Sequence, residues 1–156
     1  MQWSDVLNDS SLRNLPYKIE LNEWGQIVMS PASNRHGLIQ SRIAWSLRNQ
    51  LPQGETISEC SVQTARGVKV ADVAWASAGF IARHGLETPY QAAPEICIEI
   101  VSPSNSPLEM EEKRRLYFAS GAQEVWIVAE DGGIGLYDAG GRIPRSRFGA
   151  SLEGVL

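Results

Sequence analysis

The segment Pro94-Glu95-Ile96-Cys97-Ile98-Glu99-Ile100-Val101-Ser102-Pro103-Ser104-Asn105-Ser106-Pro107-Leu108-Glu109 decides the fold of this 156-residue chain. Ile96, Ile98 and Ile100 alternate along it, so residues 95–101 read as a strongly apolar strand that stops at Ser102-Pro103. Ser106, Pro107 and Glu109 then combine a capping hydroxyl, proline at the first helical position and an acid three residues after the cap, which predicts a helix from 107 to about 120. Gly121 is placed to end that helix, and 124–129 and 134–137 read as strands joined by a turn at Asp131-Gly132-Gly133. A capped helix set between apolar strands makes the chain a mixed α/β domain.

Working toward the N-terminus, 67–76 is apolar on nearly both faces and reads as a central strand, with 55–62 as another strand before it. Residues 78–84 read as a short helix. Leu38, Ile39, Ile43, Leu47 and Leu51 recur at helical spacing after the cap candidates Ser33 and Asn34, and Pro52-Gln53-Gly54 ends that helix. Tyr17 to Glu23 alternates, with Tyr17, Ile19 and Leu21 on one face and Lys18, Glu20 and Asn22 on the other. With a turn at Trp24-Gly25 and a partner strand at 26–30, it forms a hairpin ending at Pro31, preceded by a short helical arm over 2–14. No repeat or linker divides the sequence, so residues 1–156 are expected to form a single domain.

Fourteen Lys+Arg against eighteen Asp+Glu give a net charge of −4, which excludes a protein that grips nucleic acid by overall charge and requires any polyanion to be met locally. Cys60 and Cys97 both fall in strand-like apolar stretches and are expected to be buried free thiols of a reducing compartment. No run approaches the roughly 20 apolar residues of a membrane span, and the first residues lack the features of a secretion signal. A soluble, cytoplasmic protein is the expectation. Of the five tryptophans, Trp45, Trp75 and Trp126 lie inside predicted elements and are assigned to the core, leaving Trp3 and Trp24 for the surface.

Two acids stand out. Asp72 sits mid-strand among Val70, Val73, Ala74 and Trp75, where an unpaired carboxylate is costly to desolvate. Glu99 shares a strand face with Glu95, Cys97 and Val101, opposite the three isoleucines. If the two strands are neighbours, both carboxylates point to one place, and their repulsion must be relieved by a shared proton, a basic partner or a bound cation. Lys113, three residues after Met110 and four before Tyr117, lies on the inward stripe of the capped helix and is the basic partner at hand.

The order Val-Ala-Asp72, then Glu99-Ile-Val-Ser-Pro-Ser, then Glu-Lys113-Arg-Arg-Leu-Tyr117 and Gly121-Ala-Gln-Glu-Val-Trp-Ile-Val resembles the Uma-two family, over about Tyr17 to Tyr137. That family consists of bacterial restriction-endonuclease-like proteins grouped with the PD-(D/E)xK nuclease superfamily. The resemblance implies a restriction-endonuclease-like core, a mixed β-sheet flanked by helices with an N-terminal hairpin. It implies Asp72 and Glu99 as Mg²⁺ ligands, with Mn²⁺ able to substitute, and Lys113 as the third catalytic residue. Ala71 stands where the superfamily has proline and Val101 where it has lysine, so the lysine is matched on the following helix. Glu20 and His36 match auxiliary positions, Glu20 as a candidate to complete the metal shell and His36 as a phosphate contact.

Mg²⁺ prefers oxygen ligands and keeps several waters, which two carboxylates suit, whereas two scattered histidines and separated cysteines make no zinc pattern. The expected reaction is hydrolysis of DNA phosphodiester bonds, with Arg114 and Arg35 as candidate DNA contacts and Arg115, Arg142, Arg145 and Arg147 as further basic groups. Cutting both strands of a duplex takes two sites, so a symmetric homodimer is the expected assembly. A nuclease-fold binding or assembly module that no longer cleaves, and a carboxylate-pair hydrolase such as a glycosidase, stay open beside this reading.

Overall fold

The computed structural model describes residues 1–156. Helix α1 (Trp3–Asn8) and a single 3₁₀ turn at Ser10–Leu12 form the N-terminal arm. Strands β1 (Tyr17–Leu21) and β2 (Ile27–Pro31) pair antiparallel as the expected hairpin, followed by α2 (Asn34–Gln50), capped by the Ser33 side chain on the His36 N–H. Then come β3 (Gly54–Thr64), β4 (Gly67–Ser77), α3 (Ala78–His84), β5 (Ile96–Val101), α4 (Pro107–Ala119), β6 (Glu124–Ala129), β7 (Ile134–Asp138) and β8 (Gly141–Ile143). The cap of α4 forms as its sequence dictates, Ser106 accepting from the Glu109 N–H with Pro107 in the first turn.

Strands β3 to β8 make one six-stranded sheet in sequence order. Every neighbouring pair is antiparallel except β5 and β6, which run parallel because α4 carries the chain back across the sheet between them. This is the mixed sheet flanked by helices that was expected, enlarged by β8, a short edge strand whose three residues carry too little pattern to be read.

Both faces are covered. On one, Ile39, Ile43 and Leu47 of α2 pack with Val73, Trp75, Ile96, Ile98, Ile100 and Trp126, and Ala150 and Leu152 close the edge. On the other, Phe80 and Tyr117 from α3 and α4 meet Cys60, Ala71, Ala74, Ala76, Cys97 and Val125. Cys60 and Cys97 are buried free thiols, and burial holds the Cys60 thiol up at about 12, so neither is a nucleophile at neutral pH.

The hairpin is separate from the sheet but fixed against it. Ile19, Leu21 and Ile27 join Val6 and Val68 in a small third cluster. Gly67 lies at φ +86°, where a Cβ would sit 2.2 Å from the Leu21 carbonyl oxygen, so only glycine lets β1 pass this closely over the β3–β4 turn. Arg66, in the same turn, pairs with Glu23 of the hairpin and Glu112 of α4, tying three elements together.

Two core assignments are corrected. Leu38 is 49% and Trp45 71% exposed, although both lie in a helix with a clear apolar stripe. The buried stripe runs through Ile39, Ile43, Ser46 and Leu47, and Leu38 and Trp45 fall on the opposite side of the same helix. Trp75 and Trp126 are core residues as expected, Trp24 is exposed, and Trp3 packs partly buried beside Val6. Accordingly, Ile98→Ala is expected to cost about 2–5 kcal/mol of stability, whereas Trp45→Ala should stay within about 0.5 kcal/mol of the wild type. Chemical denaturation followed by circular dichroism measures both.

Candidate active site

Strands β4 and β5 bring the two acids together. Their register pairs Val73 with Ile98 and Ala74 with Cys97, and one step further along sets Asp72 opposite Glu99 on the sheet face covered by α4. There the strands part, and the Asp72 Oδ2 accepts the Ile100 N–H at 2.7 Å, so the side chain takes over where the ladder ends. On the other edge of β4 the β3 pairing is unbroken except at Glu59 and Asp72. Glu59 lies at φ +54°, in the left-handed region that non-glycine residues adopt only at a cost, and the Asp72 carbonyl accepts instead from the Gln40 side chain at 2.8 Å. Asp72 is thus held by side-chain bonds on both edges of its strand.

The two carboxylates share a counter-charge that the sequence reading did not assign. Lys18 Nζ, on β1, donates to Asp72 Oδ1 at 2.9 Å and to Glu99 Oε2 at 3.0 Å. Lys113 Nζ, on α4, donates to Glu20 Oε1 at 2.9 Å and to Glu99 Oε2 at 3.4 Å. The remaining Glu99 oxygen accepts the Tyr117 hydroxyl at 2.6 Å, and His36 Nε2 lies 3.2 Å from Asp72 Oδ1. Glu20 also accepts the Val70 N–H at 2.9 Å, so it is a buried anchor for Lys113 and not a solvated residue of an outer face. Three carboxylates, two ammonium groups and one imidazole therefore form a single network under the hairpin.

Electrostatics follow from burial opposed by pairing. For Lys18, burial favours the neutral amine, but the charges of Glu99, Asp72 and Glu20 outweigh it and hold the ammonium above its ordinary range. Burial also works against ionised Asp72, yet the His36 bond, the Lys18 charge and the Ile100 N–H bring its carboxyl below the usual value. Glu99 goes the other way: it is raised, because burial there exceeds the help from Lys113 and Lys18 and the neighbouring Asp72 charge adds to it. Glu20 is lowered, burial being overcome by Lys113, Lys18 and the Val70 N–H. Two acids in one place with opposite shifts are the pattern of a site in which protons and cations compete.

Of the residues singled out from sequence, Asp72, Glu99, Lys113, Glu20 and His36 meet in this network. Arg114 and Arg35 do not. Arg114 stacks over the Tyr137 ring, 4.4 Å from its centre, and lies 4.0 Å from Glu111, while Arg35 donates Nε to the Glu130 carbonyl at the foot of α2. Arg147 pairs with Asp138 and Arg115 with Glu111. Lys18 and Tyr117 were legible in part, since Lys18 alternates onto the face of Glu20 and Tyr117 stands one helical turn after Lys113.

A hard divalent cation fits the donor set. Asp72 Oδ1 and Glu99 Oε2 already bracket one positive group, the Lys18 ammonium, and both line a cavity of about 30 Å³ with Lys18, His36, Asn105 and Lys113. No three Asp, Glu, His or Cys side chains are grouped as a ligand set, so such an ion would be held by these two carboxylates and water.

His36 reports the network directly. Its bond to Asp72 raises the imidazole above its ordinary 6.5 against the effect of burial, so its contribution to stability is present below that value and is lost as pH rises through the raised one. In Asp72→Asn the His36 midpoint, followed by proton NMR, is expected to fall; an unchanged midpoint would show that the pair does not exist in solution.

Comparison with known proteins agrees with this architecture. Residues 8–140 match the model of the Uma2 family, described as "Putative restriction endonuclease". Among solved structures, the crystal structure of a "putative nuclease belonging to DUF820" from Anabaena variabilis ATCC 29413 superposes with a TM-score of 0.64 at 18% identity, covering 84% of this chain and 83% of that one. No curated protein matches the chain.

Proposed function

For a chain that belongs to the Uma2 family of restriction-endonuclease-like proteins, we propose Mg²⁺-dependent hydrolysis of DNA phosphodiester bonds at the Asp72–Glu99 site, on the plan of the PD-(D/E)xK nucleases. The observation that carries this is the convergence of two buried carboxylates on one cation-sized position with a second lysine beside it. Asp72 and Glu99 would hold the Mg²⁺, or Mn²⁺ in its place. Such an ion, when bound, polarises a phosphodiester and makes water nucleophilic at neutral pH.

The chain's own residues supply the rest. Lys113 is fixed by Glu20 and Glu99, so its ammonium can stabilise negative charge developing on a phosphate without paying for reorganisation at that moment. Tyr117 holds Glu99 Oε1 and leaves Oε2 as the oxygen turned to the cation position. Lys18 stands in that position and would have to move off the two acids for a divalent ion to be held there; on its long stem its ammonium could then serve as a phosphate-binding charge. Because one site cuts one strand, double-strand cleavage would extend the reading to a symmetric dimer. Two buried free thiols suit a cytoplasmic setting.

Lys18 also gives the second reading its support. A site in which lysines already neutralise both acids has what a catalytically silent DNA-binding or assembly module would keep. No helix of the chain is long and apolar enough to cross a membrane, so a role as a helical membrane anchor gains nothing from the structure.

Calorimetric titration with Mg²⁺ or Mn²⁺, beside a cleavage assay on single- and double-stranded DNA, separates the two. Wild type is expected to bind the ion and cut, Asp72→Asn and Glu99→Gln to lose both, and Lys18→Met to tighten ion binding on the order of tenfold, about 1.4 kcal/mol. A wild type that binds no ion and cuts nothing establishes the silent module, and cleavage that survives a chelator returns the glycosidase-like or another metal-free chemistry.

A further inference from the structure

The outer face of α2 is exposed, basic and free of acids. In a chain of net charge −4, this helix carries Arg35, Arg42 and Arg48 and not one Asp or Glu in its 17 residues. Arg66, Arg114, Arg115 and Arg147 are each engaged by a carboxylate, whereas Arg42 and Arg48 form no ion pair. Between the arginines stand the two large apolar residues that the core does not use, Leu38 at 49% and Trp45 at 71% exposed. Arg42 precedes Trp45 by three residues and Arg48 follows it by three, so both charges neighbour the indole on the helix surface. An exposed indole between unpaired guanidinium groups combines a flat stacking surface with phosphate-binding charge.

The same helix reaches the candidate site. His36, in its first turn, contacts Asp72, and Gln40, one turn on, bonds the Asp72 carbonyl. Trp45 stands about 14 Å from His36 along the axis at about 1.5 Å per residue. Glu130 and Asp131 line one groove together with Arg35, Leu38 and Arg42; Arg35 is held there to the Glu130 carbonyl, whereas Arg42 forms no ion pair and Arg48 lies outside that groove. A second copy of the chain is a poor occupant, because a two-fold interface sets the same patch against itself and would oppose arginine to arginine.

We propose that the outer face of α2 is the track on which a nucleic-acid strand lies as it enters the site, with Arg42 and Arg48 binding phosphates and Trp45 stacking on a base. This rests on the nuclease reading and adds to it where the substrate runs. It also gives an acidic protein a local place to meet a polyanion: three of its fourteen Lys and Arg residues lie on one helix that carries no acid and whose first turn reaches Asp72.

The test uses the full chain and fluorescently labelled single- and double-stranded DNA, with binding read by anisotropy in Ca²⁺ over a range of salt. Arg42→Glu/Arg48→Glu is expected to weaken binding at least tenfold and to lower the salt slope by about 2, the loss of two phosphate contacts. Trp45→Ala should weaken binding by roughly tenfold, and Arg13→Glu/Arg83→Glu, on the N-terminal arm and α3, should leave it near the wild-type value. Circular dichroism and Mg²⁺ calorimetry should match the wild type in all three. If the α2 variants bind and cut DNA as the wild type does, the track is overturned and the nuclease reading stands. If Trp45→Ala instead turns a dimer into a monomer in sedimentation with DNA affinity unchanged, the face is a protein interface and the proposal falls. A wild type that neither binds nor cuts DNA removes the nuclease reading and this inference together.

Discussion

Two buried carboxylates cannot share one place without a positive charge between them, and the arrangement of this protein follows from how that charge is supplied. Asp72 and Glu99 are forced together by the antiparallel register of the neighbouring strands β4 and β5, and both are almost wholly shielded from water. Leaving either ionised and unpaired there would cost several kcal/mol. Lys18 meets the requirement from above, with Lys113 and His36 completing the balance from the two sides.

This explains why the hairpin exists as a separate layer. The six-stranded sheet and its helices already bury both apolar faces, so the fold has no need of β1 and β2 to close its core. Their contribution is to carry Lys18 and Glu20 over the point where β4 and β5 part, and Gly67 and Arg66 fix the height and angle at which they do so. Alternation within β1 divides the work: Ile19 and Leu21 pack against the small cluster under the arm, while Lys18 and Glu20 turn into the network. A lysine bridging the acids is compatible with a divalent ion taking its place, since both are cations answering the same pair of carboxylates.

Much of this was legible in the sequence, and the parts that were not have physical reasons. The alternating isoleucines of 96–100, the Ser106 cap and the doubly apolar 67–76 give strong local signals, and the strands and helix they predict are present. Asp72 and Glu99 were visible because a charge inside an apolar run must be compensated. Lys18 was not identified, because a lysine on an alternating strand looks like an ordinary solvated residue until the hairpin is known to lie face-down on the acids. Trp45 and Leu38 were misplaced for a related reason: both sit in an apolar-rich helix, but only rotation about its axis decides that Ile39, Ile43 and Leu47 face the sheet. Strand β8 has three residues and no pattern to read.

The central claim is that the Lys18 ammonium marks a divalent-cation position shared by Asp72 and Glu99. A crystal soaked in Mn²⁺ and measured at the manganese edge tests it most directly. The account predicts a single anomalous peak in contact with both carboxylates, with the Lys18 side chain moved off Asp72 and Lys113 still held by Glu20. Lys18 remaining bridged between the acids, with no peak there at saturating Mn²⁺, would contradict it.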